Sequence, residues 1–173
     1  MRWIVLRYSE DSMLRFISFC VAVLLAQSSA ADELDVIGTY RLVSSERVIV
    51  ATGQTEDSFG SNPGGFITYG RDGRMMVIIV RTDRPKPEAV DRMTDQQRAD
   101  LFRSMLAYGG RYEIHGNEIE HHIDISWNEV WTGTTVVREV RKEGDRLIYT
   151  TRPAPFSRDG KVSITKLVWE KVK

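Results

Sequence analysis

The side chains best suited to chemistry in this chain are His121, Arg138 and three tyrosines, Tyr69, Tyr112 and Tyr149. A histidine titrates near neutrality and can move a proton, while an arginine can hold an anionic or carbonyl oxygen in its planar fork. The run EIEHHIDIS (Glu118–Ser126) alternates, so Ile119, His121, Ile123 and Ile125 share one face and Glu120, His122, Asp124 and Ser126 the other. His121 is therefore expected inside, among isoleucines, and His122 outside, among charges. An inward histidine is either a hydrogen-bonded core residue or a group that meets a ligand, and alternation does not choose between the two. Arg138 lies mid-run on the face of Val136 and Thr134. It is either a solvated cation or an inward anchor for a polar group. Tyr69, Tyr112 and Tyr149 fall in step with Ile67, Ile114 and Leu147, so their rings are expected inward. Buried hydroxyls need partners, and these three could find them in one another or in a ligand's polar end. Met75, with Met76 and Met105, supplies adaptable lining, and Trp131 heads the strand that carries Arg138.

Other chemistries find little support. His115, His121 and His122 are the only histidines, the last two point to opposite faces, and the one cysteine, Cys20, lies near the N-terminus. No metal site and no cofactor is expected. The chain has no G-x-S-x-G and no phosphate-cradling glycine loop before a helix. Basic and acidic residues number 24 each, giving a formal net charge of +0. Without a basic stripe there is no footprint for nucleic acid and no polybasic patch for a membrane surface.

Positioning inward side chains from several runs requires a sheet. Short alternating runs broken by Gly, Asn, Asp and Pro carry the chain from residue 37 to its end, the pattern of an all-β domain. Eight strands are predicted, over 37–48, 66–69, 74–81, 107–114, 118–126, 131–141, 146–151 and 162–172. The turn Gly70-Arg71-Asp72-Gly73 has the glycines a tight hairpin needs. One segment departs from period two. Thr94-Asp95-Gln96-Gln97 is a capping box, and Leu101, Phe102 and Met105 follow at helical spacing. A helix over 95–106 is predicted, its apolar side covering one mouth of the sheet structure. Short connections make sequence neighbours sheet neighbours, and eight antiparallel strands close into an up-and-down barrel; a two-sheet sandwich is the alternative. Gly64-Gly65 and Gly109-Gly110 read as bends in such a barrel.

The N-terminal region differs in kind. From Met13 the chain reads MLRFISFCVAVLLAQSSAADE: a basic flank, an apolar run over 16–25, and small residues at 28–31. That is the layout of a secretory signal peptide, with Met13 an alternative start. The apolar run would rise roughly 15 Å as a helix, about half a bilayer core. Residues 1–31 are thus expected to be a signal and 32–173 one domain, exported to the periplasm or beyond, cysteine-free and without stable membrane insertion.

The ordered landmarks resemble those of the lipocalin-like domain family, small calycin-type barrels of bacteria and fungi. They are GTYRLV at 38–43, PGGFITY at 63–69 with DGRM at 72–75, YGGRY at 108–112, His121-His122, WTGT at 131–134 with Arg138, and Leu167-Val168-Trp169. Two positions depart. Tyr40 stands where the opening motif usually has Trp, and Glu170-Lys171 follow Trp169 where Arg is frequent. The resemblance implies a barrel with an interior site; fold alone does not assign a function. Three readings follow. The first is an exported barrel that binds a small, largely apolar or amphipathic molecule through His121, Arg138, Tyr69, Tyr112, Tyr149, Met75 and Trp131. The second is an isomerase, cyclase or dehydratase acting on a polyketide-like or fatty substrate at an interior His/Arg/Tyr site. The third is a solidly packed interaction protein. The oligomeric state is not legible.

Overall fold

The computed structural model describes residues 34–173; the predicted signal peptide lies outside the described residues. The strands are β1 (Gly38–Ile49), β2 (Thr55–Asp57), β3 (Gly64–Tyr69), β4 (Arg74–Val80), β5 (Met105–His115), β6 (Glu118–Ser126), β7 (Thr135–Glu143), β8 (Arg146–Thr150), β9 (Ala154–Pro155) and β10 (Val162–Lys171), with helix α1 (Asp95–Arg103) between β4 and β5. Antiparallel pairing runs β1-β3-β4-β5-β6-β7-β8-β10, and β10 returns to β1, pairing Tyr40 with Lys171 through Ile49 with Ser163. That last ladder closes the eight strands into a barrel and excludes the two-sheet sandwich, whose open edges would be left unpaired. β2 and β9 are short additions on β1 and β10, not foreseen in the sequence.

Alternation explains why these segments fill a barrel. In β4, Met75, Val77 and Ile79 are buried while Met76 and Ile78 face out, and β3 buries Ile67 and Tyr69. Trp169, Leu167 and Leu147 complete the interior from β10 and β8. The hairpin between β3 and β4 turns at Gly73, whose φ of 76° lies in the left-handed region that favours glycine.

Four expectations are corrected. First, Ile125 is not inward: it is 66% exposed. The register slips where Gly109 pairs with Ile125 and Gly110 with Ile123, so Asp124 is a bulged extra residue and the phase of β6 inverts beyond it. Gly110 permits this, since a Cβ there would lie 1.9 Å from the His122 carbonyl oxygen. Second, α1 ends at Arg103, because Met105 and Leu106 pair with Val80 and Ile79 as the start of β5. Third, no residue of α1 is buried, and Phe102 remains half exposed, set against Trp127 with ring centroids 6.1 Å apart. The helix borders the rim and does not seal the mouth. Fourth, Trp131 closes a single 3-10 turn (Glu129–Trp131), and the strand it was expected to open begins at Thr135. Among the described residues no helix is long and apolar enough to cross a membrane.

Candidate functional site

Four strands bring inward side chains to one point. Tyr69 (β3), Tyr108 (β5), His121 (β6) and Tyr149 (β8) are all buried. Tyr149 Oη donates to Tyr69 Oη at 2.8 Å, Tyr69 Oη meets His121 Nε2 at 2.7 Å, and Tyr108 Oη meets Nδ1 at 2.8 Å. A neutral imidazole has one donor and one acceptor nitrogen, so the network sets the tautomer. Because Tyr69 already accepts from Tyr149, its own proton goes to Nε2, and Nδ1–H donates to Tyr108. The opposite assignment would leave the Tyr69 proton buried without an acceptor, which costs about 1–3 kcal/mol. In the favoured order the Tyr108 hydroxyl proton is the one the network does not use.

Burial keeps the whole cluster uncharged. It pushes His121 down to about 3, with the Arg138 charge and the neighbouring His122 adding to the effect. It raises Tyr69, Tyr108 and Tyr149, although the Arg138 charge partly offsets the rise at Tyr108. Both ring nitrogens of His121 are occupied by tyrosine hydroxyls. The imidazole is a positioning residue for Tyr69 and Tyr108 and has no free atom with which to take a substrate proton.

Among the described residues, Arg138 is the one charged side chain that lines the cavity beside this cluster. Its cross-strand partner on β6 is Ile119, which is wholly buried, and directly paired residues share a face. The half-buried guanidinium donates from Nη1 to the Val137 carbonyl at 3.2 Å. Among the described residues no carboxylate pairs with it. An inner cavity of about 70 Å³ is lined by Tyr108, His121, Arg138 and Tyr149 with Ile67, Val77, Leu167 and Trp169. A vestibule of about 320 Å³, lined by Trp131, Val136, Pro155 and Phe156 among others, shares Arg138, Thr151 and Thr165 with it. Binding sites for drug-sized molecules run to roughly 300–1,000 Å³, and a water needs about 10–15 Å³. The inner cavity therefore has room for a few waters or one small group, and the vestibule for a larger one.

Of the residues singled out in the sequence, Tyr69, His121, Tyr149 and Arg138 converge, and Trp131 reaches the vestibule from its turn. Two do not join them. Tyr112 donates its hydroxyl to the Gly70 carbonyl at 2.9 Å and stands edge-on to Tyr69, pinning the β3–β4 turn. Met75 is buried beside Gly110 and lines neither cavity. Tyr108 was missed, although it alternates in phase with Tyr112 and Ile114 on β5. His122 faces outward as expected, bonding Thr135 Oγ1 at 3.0 Å.

The mouth carries a second unforeseen group. Arg47 on β1 is 2% exposed and forks onto Asp159 (2.9 and 2.6 Å) and Glu56 (3.2 and 2.7 Å), with its guanidinium 4.3 Å from the Phe156 ring centroid. Arg158 adds a bond to the Ser58 carbonyl at 3.0 Å. The two loops after β1 and before β10 are thereby tied together.

A model of the lipocalin-like domain matches residues 37–172. The chain belongs to this family. Its two departures from the usual lipocalin motifs meet across the closing ladder: Tyr40 pairs with Lys171, whose ammonium lies 5.8 Å from the Tyr40 ring centroid. Glu170 points the other way and takes Arg41 at 2.9 Å and Arg146 at 3.2 Å. No curated protein matches this lipocalin-like chain. The crystal structure of an uncharacterized protein from Bacteroides eggerthii DSM 20697 aligns with it at 15% identity and a TM-score of 0.38, over 80% of this chain and 100% of that one.

Proposed function

We propose that this lipocalin-like barrel is exported and holds a small, largely apolar molecule at its mouth, with one polar end inside. The observation that carries the reading is that a small inner cavity, largely apolar but with a few convergent polar groups, meets a larger vestibule of mixed lining at Arg138, Thr151 and Thr165. Apolar clefts with a few convergent polar groups are the usual form of a small-molecule site. Binding is preferred to acid–base catalysis because His121 is held uncharged with both nitrogens engaged. Export rests on the 13–31 layout of basic flank, apolar run and small residues.

Native mass spectrometry of protein purified from its own host tests the binding reading. The expected result is a retained small molecule that is lost on denaturation. A ligand-free barrel that also fails to take up an apolar fluorescent probe would refute it. N-terminal sequencing of secreted material tests export, with a start near Ala31 or Asp32 expected; full-length protein in the cytoplasm would count against it.

A further inference from the structure

We propose that two copies of this chain pair through the outer face of β3–β6, in an isologous contact centred on Phe66, Met76, Ile78 and Ile125. This face lies on the outside of the barrel and is independent of the ligand site within it.

Outward positions of an antiparallel barrel carry polar side chains where they meet water, as Glu139 and Arg141 do on β7. On β3, β4 and β6 the four residues named are instead large, apolar and 44–66% exposed. They form one patch. Phe66 pairs directly with Ile78, Met76 with Gly109, and Gly109 with Ile125, and directly paired residues share a face. Met76 Cε and Ile125 Cγ2 each come within 3.7 Å of the place a Cβ on Gly109 would occupy, so the two side chains close over the glycine. Ile125 joins this face only because the bulge at Asp124 turns it outward. Contiguous apolar patches of this kind mark interaction surfaces, unlike single exposed residues.

The size of the face suits a second copy held reversibly. Four strands about 4.8 Å apart, over four outward rows about 6.8 Å apart, make an area of about 500 Å² between Gly64 and Arg111. Two such faces bury about 1,000 Å², the lower limit for a specific interface and the range of weak dimers.

The charges around the patch favour its own image over a strongly charged partner. Arg41 bonds Glu170 at 2.9 Å and Arg74 bonds Asp124 at 2.5 Å, so most of the rim is neutralised within one copy. A formal net charge of +0 adds no long-range repulsion between copies. Two such pleated faces can pack with side chains interdigitating, as between the layers of a sandwich, and a two-fold axis makes the contact self-complementary. Arg111, directly opposite Arg74, is the exception: among the described residues no carboxylate pairs with it. It sets the direction of the contact. An axis running across the strands lays Arg111 against the Gly64–Val80 end of the other copy and keeps the two basic ends apart, whereas an axis along the strands would bring like charges together.

Sedimentation velocity of the chain from Asp32 onward, which contains the whole barrel, tests the proposal over roughly 1–200 µM. A monomer is expected at the low end and a dimer at the high end. Met76→Lys and Ile125→Lys each place an unpaired charge in the interface twice, and each should weaken dimerisation at least about a hundredfold. Both positions are already largely exposed, so the melting temperature of either variant should stay close to that of the wild type. Val162→Lys, at an exposed apolar position on β10, should leave the dimer unchanged. A wild-type chain that remains monomeric at the high end would overturn the proposal. So would a dimer that survives both lysines on the β4 and β6 face, or one that Val162→Lys abolishes. Should Met76→Lys not fold, Ile125→Lys decides by itself.

Discussion

Lowering the pH from 7.5 to 4.5 should destabilise the folded domain, with His121 making a contribution that can be isolated. In the unfolded chain its imidazole takes up a proton near pH 6.5, whereas in the barrel burial and the Arg138 charge hold it down to about 3. Between those values the unfolded state binds a proton that the folded state does not, so stability must fall as the solution is acidified. At pH 4.5 the unfolded imidazole is almost fully protonated, and one protonation costs about 1.4 kcal/mol per pH unit below 6.5. Relative to pH 7.5 the loss attributable to His121 is about 2–3 kcal/mol. The loss is complete only near pH 3, where the folded form begins to titrate as well. Urea unfolding at both pH values, for the wild type and for His121→Gln, isolates the contribution as a double difference. The variant should be less stable at pH 7.5 but should show a pH dependence smaller by about 2 kcal/mol. If the two proteins lost the same stability on acidification, the claim that His121 is buried and neutral would be wrong. Direct observation of the His121 ring by NMR supplies a check that needs no variant: it should remain neutral at pH 5.

Three further outcomes follow from the same geometry. Tyr149→Phe removes only the terminal donor of the chain and leaves His121 with both partners, so it should cost about 1 kcal/mol and preserve the His121 resonances. Arg47→Met strands Glu56 and Asp159 near the mouth; because both acids are only about three-quarters buried, a loss of about 2 kcal/mol is expected, with proteolysis rising in the loops flanking β2 and β9. Gly110→Ala should be far more damaging than Gly109→Ala, since its Cβ meets the His122 carbonyl oxygen at 1.9 Å against 3.3 Å to the Met75 carbonyl oxygen for Gly109. Circular dichroism melts of the two variants give the ranking directly, and equal melting temperatures would remove the role assigned to the bulge.

Strand positions and inward faces were legible because a strand repeats every two residues, and that period is written locally in the chain. His121 and Tyr69 could be placed inside on that basis, and helix α1 could be started correctly from its capping box, in which Thr94 Oγ1 accepts from the Gln97 amide and Gln97 Oε1 from the Thr94 amide. Everything that depended on which strands lie opposite one another was out of reach. The inversion at Asp124 appears only when β6 is laid against Gly109 and Gly110, and the early end of α1 only when Met105 finds Val80. Tyr108 shares a phase with Tyr112, yet one reaches His121 and the other the Gly70 carbonyl, because the four-residue step between them spans about 13 Å along the strand. Arg47 and Arg138 look alike as arginines within strands. Tertiary contacts give the first two carboxylates, Glu56 from β2 and Asp159 from the loop before β10, and leave the second with none, and that difference in pairing is what makes one a tie and the other a candidate for binding.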